Sequence, residues 1–335
     1  PKPAQDPVYL STGSTVVNIA CSGRINGGLR SGRLYLFVGD STSGKTMLAA
    51  TSLAEASIDP RFDAYRLVVA DEEGGMLMDL ESMFGEGMAA RLEVAHHDYL
   101  EDFYDWIDTL FKQGKPFIGF LDSMDAIEAR ADHAKRDEKA DNPNAAGTFG
   151  TEKAKLNSRN LGWVTNKLKE TNSILIIIAQ ARDKIGFGAQ FDPRTRSGGR
   201  AMKFYATTEL WFSVAKQIKT SSKIRGKNRD LGILAKIQVK KNRQTGRVPT
   251  VEVPILWASG IDDTGSCVDY LLEERHWKKN DGVIKAPEFE ISGSREELIR
   301  YIEDEEVEMD LHLLVAEVWR DIEERSKLQR KKRYG

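Results

Sequence analysis

The sequence predicts an α/β protein built on a mostly parallel sheet covered on both faces, and three observations predict it. A strand-like run, Leu34-Tyr35-Leu36-Phe37-Val38, feeds a glycine-bounded loop, Gly39-Asp40-Ser41-Thr42-Ser43-Gly44-Lys45-Thr46, which opens a helix-forming segment from Met47. Further apolar runs at Tyr65–Ala70, Phe117–Leu121 and Ile174–Ala179 are continuous rather than alternating, as strands buried on both faces are, and helical stretches separate them. Each run stops at a polar residue: the acids Asp71 to Glu73, then Asp122, then Gln180.

The loop at 39–46 has the spacing of a phosphate-binding loop. Its backbone N–H groups can converge on phosphate oxygens, and the following helix aims its positive dipole end at the same anion. In that arrangement Gly39, Asp40, Ser41, Thr42, Ser43 and Gly44 form the cradle, Lys45 reaches the β- and γ-phosphates, and Thr46 places its hydroxyl on Mg²⁺. In open α/β sheets ligands sit beyond the carboxyl ends of the strands, so Glu73, Asp122 and Gln180 are expected beside the phosphates. Asp122 is the expected metal-holding acid, Glu73 is placed to orient an attacking water, and Gln180 to sense the γ-phosphate. The cofactors expected are ATP and Mg²⁺.

Composition narrows the setting. Of 335 residues 40% are hydrophobic and 30% charged, with a formal net charge of −2, so any affinity for polyanions has to come from local patches. Cys21 and Cys267 lack the spacing of a disulfide framework or a zinc site, which suits a reducing, cytoplasmic compartment. No apolar run is long enough to span a bilayer, and PKPAQDPVYL has no signal-peptide core, so a chain that is neither exported nor membrane-bound is expected.

Along the chain, 1–30 is a Gly- and Ser-punctuated lead-in with a short helical piece at Val16–Ala20. The segments 128–155 and 182–200 do not look like core. The first is charged and nearly free of apolar residues, with Phe149 its one aromatic. The second carries Arg182, Lys184, Arg194, Arg196 and Arg200 among glycines, with Ile185, Phe187 and Phe191 interleaved, a composition suited to a nucleic-acid groove. Lys216 to Arg229 is a basic run read as an exposed loop. Strand Thr250–Leu256 precedes a C-terminal α+β piece with helices near 296–303 and 311–324. The expected division is a lead-in over 1–30, an ATPase core over 31–258, and a small domain with a basic tail over 259–335.

Taken in order, the phosphate loop, Asp71-Glu72-Glu73, Leu121-Asp122-Ser123, IIIAQARDKIGFG, SGGRAMKFYA and VKKNR resemble the RecA family of homologous-recombination ATPases, bacterial and phage, from about Ser11 to about Lys279. The resemblance implies a RecA-type P-loop core and a DNA-dependent ATPase that forms filaments on single-stranded DNA and exchanges strands with a homologous duplex. It makes Glu73 the catalytic glutamate and lets Gln180 couple the γ-phosphate to the following loop. It assigns DNA-binding loops to 130–153 and 182–200, with Phe149, Lys153, Arg182, Lys184, Ile185, Arg196, Gly198, Gly199 and Arg200 at the DNA. Lys241 and Arg243 correspond to basic residues that reach a neighbour's ATP in a helical filament or ring. The basic run at 216–229 resembles a region that holds a second DNA strand. A RecA-fold ATPase without strand exchange, a recombination regulator or helicase-like motor, is the alternative. Two departures stand out: Glu209 occupies a place where the family has arginine, reversing a charge beside the DNA loop, and Met76–Leu80 lacks a tyrosine that stacks on adenine.

Overall fold

The computed structural model describes residues 7–74, 79–141, 151–183, 194–196, 199–220, 222–327 and 330. The elements in chain order are β1 (Tyr9–Leu10), α1 (Thr15–Ser22), β2 (Leu29–Arg30), β3 (Arg33–Gly39), α2 (Lys45–Ile58), β4 (Arg66–Asp71), α3 (Leu80–Phe84), α4 (Glu86–Arg91), β5 (Leu92–Ala95), α5 (Leu100–Lys112), β6 (Phe117–Asp122), α6 (Arg130–Asp141) and α7 (Thr151–Thr171). They continue with β7 (Ile174–Asp183), β8 (Arg194–Arg196), α8 (Arg200–Tyr205), β9 (Thr208–Lys219), β10 (Asp230–Asn242), β11 (Thr250–Leu256), β12 (Gly260–Ile261), α9 (Asp263–Glu273), β13 (Lys278–Asn280), β14 (Val283–Ala286), β15 (Ile291–Gly293), α10 (Arg295–Asp304) and α11 (Glu308–Arg325).

The main sheet runs β12-β11-β10-β9-β3-β7-β6-β4-β5, with β8 added to β7. Pairing is parallel from β9 through β3, β7, β6 and β4 to β5, and antiparallel from β9 through β10 and β11 to β12. This is the α/β fold with a mostly parallel central sheet that the sequence predicts.

Alternation explains why the central strands are apolar at every position. Tyr35, Phe37, Ile174, Ile176 and Ile178 enter one core with α1, α2 and the C-terminal helices, while Leu34, Leu36, Val38, Leu175 and Ile177 enter a second core with α5 and α7. The first core runs without a break into the C-terminal part, where Cys267, Trp277, Ile284, Leu298, Leu311 and Val315 belong to the same cluster as Val16, Val17 and Leu53. The heptad-like spacing of Leu311, Val315 and Val318 is therefore a packing face, as their burial shows. A small antiparallel sheet, β13-β14-β15, sits in this part, and α10 starts with a capping box between Ser294 and Glu297.

Two local expectations are corrected. The segment expected to be non-core loop from 128 contains α6, and α7 begins already at Thr151. Ala, Lys, Arg and Glu are good helix formers, so this stretch folds as helix without an apolar stripe to announce it. The basic run expected as loop begins on β9, which carries Lys216 and Lys219, and ends where β10 starts at Asp230. Glu209, where the family has arginine, is buried and accepts a hydrogen bond from Trp211 Nε1 at 3.0 Å.

Candidate nucleotide and DNA site

Parallel register gathers the polar strand ends. Gly39 on β3 pairs with Gln180 on β7, and Asp71 on β4 pairs with Asp122 on β6, so the carboxyl-terminal parts of four strands stand side by side at one end of the sheet.

Two glycines shape the phosphate loop. A Cβ at Gly39 would lie 2.5 Å from the Phe212 carbonyl oxygen, and one at Gly44, where φ is +96°, would lie 2.4 Å from Ile255 Cδ1. The loop closes on Asp40, whose carbonyl accepts from Ser43 Oγ at 2.7 Å and from Lys45 Nζ at 2.6 Å. Burial pulls the Lys45 ammonium below its ordinary pKa, and the negative charges of Asp122 and Glu73 act against that pull. A buried cation at the start of a 14-residue helix, whose first N–H groups have no partner within the helix, is an anion site in waiting.

Thr46 Oγ1 donates to Asp122 Oδ2 at 2.6 Å. Burial lifts the Asp122 carboxyl above its usual range, the Thr46 hydroxyl lowers it, and the charge of Glu73 raises it further. A hydroxyl and a carboxylate side by side are hard oxygen donors that suit Mg²⁺, which keeps several waters and takes few protein ligands. The donor set at Thr46 and Asp122 therefore fits a magnesium–nucleotide complex.

Of the acids after β4, the structure separates two, Glu72 and Glu73. Glu72 is turned inward: its side chain is 1% exposed, and it accepts from the His97 backbone N–H at 2.9 Å while facing His97 Nδ1 at 2.6 Å. Glu73 is exposed and meets Ser123 Oγ, which donates to its Oε1, and Gln180 Nε2, 3.4 Å from the same oxygen. The backbone N–H groups of Glu72 and Glu73 both donate to the Asp122 carbonyl, at 2.7 and 3.1 Å, which locks the β4 and β6 ends together.

A profile of the RecA N-terminal domain matches residues 3–262. This chain belongs to the RecA family. The family's members are nucleotide-hydrolysing, DNA-binding ATPases of recombination and repair. The chain is similar to Protein RecA of Lactiplantibacillus pentosus, 29% identical over 304 residues covering 88% of this chain and 72% of the relative. It is similar also to Protein RecA of Chloroherpeton thalassium, 30% identical over 284 residues covering 80% and 69% respectively, and to that of Chlorobaculum tepidum, 29% identical over 312 residues covering 89% and 79%.

Several of the positions that the sequence reading expects at DNA fall beside this edge. Arg182 follows Gln180 by two residues on β7, and β8 folds back on it, pairing Ala181 with Arg196. Lys153 lies in the first turn of α7, with Nζ 2.9 Å from the Met124 carbonyl, and burial lowers its pKa. Gly199, at φ +81°, precedes α8 and packs so closely on α7 that its Cβ would stand 3.0 Å from Ala154 Cβ; Arg200 opens α8 and is exposed. Phe149, Lys184, Ile185 and Gly198 lie outside the described residues, as do Met76, Leu77 and Met78. Lys241 and Arg243 gather on their own chain around the end of α8. Lys241 Nζ donates to the carbonyls of Phe204 at 3.0 Å and Ala206 at 2.6 Å, and also to that of Lys203. The Arg243 guanidinium stands 5.7 Å from the Phe204 ring.

Sequence reasoning named Ser123 only as part of the Leu121-Asp122-Ser123 motif, with no role, and did not single out Asp125. The local signal was proximity alone: Ser123 follows Asp122 directly and Asp125 stands three residues on.

Proposed function

We propose that this chain is an ATP-dependent recombinase that assembles on single-stranded DNA as a helical homo-oligomer and exchanges strands with a homologous duplex. The observation that supports this most is the sheet register, which sets Lys45, Thr46, Asp122, Glu73 and Gln180 at one edge and continues β7 from Gln180 directly to Arg182. In this reading Lys45 binds the β- and γ-phosphates, while Thr46 and Asp122 hold magnesium. Bound magnesium neutralises charge that develops on the transferred phosphoryl group. Glu73 orients the attacking water, and Gln180, in reach of Glu73, reports the γ-phosphate to the segment beyond it. Lys241 and Arg243 turn from the end of α8 to a neighbouring subunit's nucleotide on assembly, making hydrolysis depend on oligomerisation. Base pairing between strands supplies fidelity, so the protein needs cations that follow a backbone rather than an element reading base edges.

The division into a core over 31–258 and a C-terminal domain over 259–335 is part of the proposal. So is a cytoplasmic setting, which two buried free cysteines suit. No helix among the described residues is long and apolar enough to cross a membrane.

ATP turnover measured with and without single-stranded DNA, alongside electron microscopy with a non-hydrolysable ATP analogue, tests the reading. DNA-stimulated turnover and open helical assemblies on DNA are expected. Turnover indifferent to DNA, or closed rings alone, would favour the RecA-fold ATPase without strand exchange.

A further inference from the structure

Just beyond Asp122 the chain places a second carboxylate that the nucleotide chemistry does not use. The Asp125 side chain is only 6% exposed, yet both of its oxygens are engaged by β7. Oδ2 accepts the Gln180 backbone N–H at 2.6 Å, and Oδ1 accepts from Arg182 Nη2 at 3.0 Å. Gln180 and Arg182 are two residues apart on one strand, so one carboxylate bridges the residue facing Glu73 and the first cation of the candidate DNA segment. The surroundings hold it in place. Met124 N donates to the Ile178 carbonyl at 2.9 Å, and Lys153 Nζ donates to the Met124 carbonyl at 2.9 Å, which ties the Met124–Asp125 turn to β7 and α7 together. Arg182 by contrast is 61% exposed at its side chain, so the charged partner that can leave is the arginine and not the aspartate.

We infer that Asp125 is a positioning residue that holds Arg182 in reserve and links its release to the state of Gln180. This rests on the proposed reading of the chain as a DNA-dependent ATPase. A DNA phosphate has to compete with a preorganised, nearly buried carboxylate for the Arg182 guanidinium, and a guanidinium satisfies either partner through the same donors. Because the other carboxylate oxygen is bonded to the Gln180 N–H, a shift of β7 at Gln180 changes the geometry on which the Arg182 contact depends. Nucleotide state and DNA grip thereby share one side chain with two discrete arrangements, Arg182 on Asp125 or Arg182 on phosphate.

A double-mutant cycle tests this on the full chain, with binding of a fluorescent oligo-dT read by anisotropy. Asp125→Asn keeps an acceptor for the Gln180 N–H and removes the charge that retains Arg182. The nucleotide-free variant should bind the oligonucleotide roughly three- to tenfold more tightly than the parent, and its log Kd should depend on log salt more steeply by about 0.7, the slope of one added phosphate contact to a single strand. In an Arg182→Ala background the same substitution should change affinity less than about twofold, because the cation it frees is gone. A gain of equal size in both backgrounds would reduce the effect to the loss of one negative charge, and no gain in either would remove the restraint; both overturn the inference. Asp125→Ser, which also leaves a short acceptor for the Gln180 N–H, provides the same cycle should Asp125→Asn fail to fold. A parent protein that does not bind oligo-dT at all would take down the proposed function and this inference with it, whereas a binding parent with additive mutants would take down this inference alone.

Discussion

The parallel and antiparallel halves of the main sheet meet at β9, which pairs parallel to β3 and antiparallel to β10, and they use their strand ends differently. In the parallel half each crossover returns the chain to the same side, so the residues after β3, β4, β6 and β7 accumulate at one edge, and there the phosphate loop, Glu73, Asp122 and Gln180 meet. In the antiparallel half successive ends point opposite ways, and polar groups cannot pile up. β9 is buried from Thr208 to Phe212 and exposed over Val214–Gln217, while β11 is mostly buried beneath α1 and α9. The antiparallel half acts on the site through packing, by pressing Ile255 of β11 against the place a side chain at Gly44 would take. One half collects functional groups and the other fixes the shape of the loop that carries one of them.

Breaking the collecting half at its centre should have the largest effect. Lys45→Ala removes the buried cation that donates to the Asp40 carbonyl and is proposed to bind phosphate. Turnover should fall a thousandfold or more, about 4 kcal/mol in the barrier, with little change in Tm. A variant retaining a tenth of parental turnover would show that the phosphate edge is organised around another residue.

The supporting half is tested next at Trp277. This indole is 2% exposed, donates from Nε1 to Glu288 Oε2 at 2.9 Å, and belongs to the core shared by α1, α2 and the C-terminal helices. Trp277→Ala should cost about 3–5 kcal/mol. Because that core does not stop at residue 258, the loss should lower a single cooperative transition in calorimetry. Two transitions, with only the lower one moved, would make the C-terminal part independent of the sheet.

The same contrast explains which features are legible in the sequence. The parallel half was legible because its signals are local: an apolar run, a glycine-bounded loop, an acid after a strand. Helix α6 was not, since Arg130–Asp141 has good helix formers and no apolar stripe to mark them. Nor does a sequence distinguish Glu72 from Glu73. What separates them is His97, which lies 25 residues further on and draws Glu72 inward. Asp125 escaped for the same reason, its partners being 55 and 57 residues away. The burial of Glu209 was not legible either, because nothing in the sequence states that it is covered and bonded to Trp211.

The smallest effect expected is one of stability, and it measures what the collecting half gives up to hold its chemistry. Burial raises the Asp122 carboxyl above its ordinary pKa, and the neighbouring charge of Glu73 adds to the rise although Thr46 opposes it. A carboxyl with a higher pKa folded than unfolded binds its proton more tightly in the folded state, so stability falls as pH climbs through the window between the two values. Above that window the penalty is present in full; below the unfolded value, near the 3.8 of an unperturbed aspartate, both states are protonated and it vanishes. Asp122→Asn should therefore stabilise the nucleotide-free protein at pH 7, and the gain should shrink as the pH is lowered towards 4. Hydrolysis should be lost at every pH, because the amide no longer offers a charged oxygen beside Thr46. Thermal melts of parent and variant across that range read the sign directly, and a variant less stable than its parent at pH 7 would mean that the Thr46 hydrogen bond outweighs desolvation. Adding magnesium and ATP should narrow the gap by stabilising the parent more than the variant, since only the parent keeps the carboxylate to which burial is unfavourable until a cation arrives.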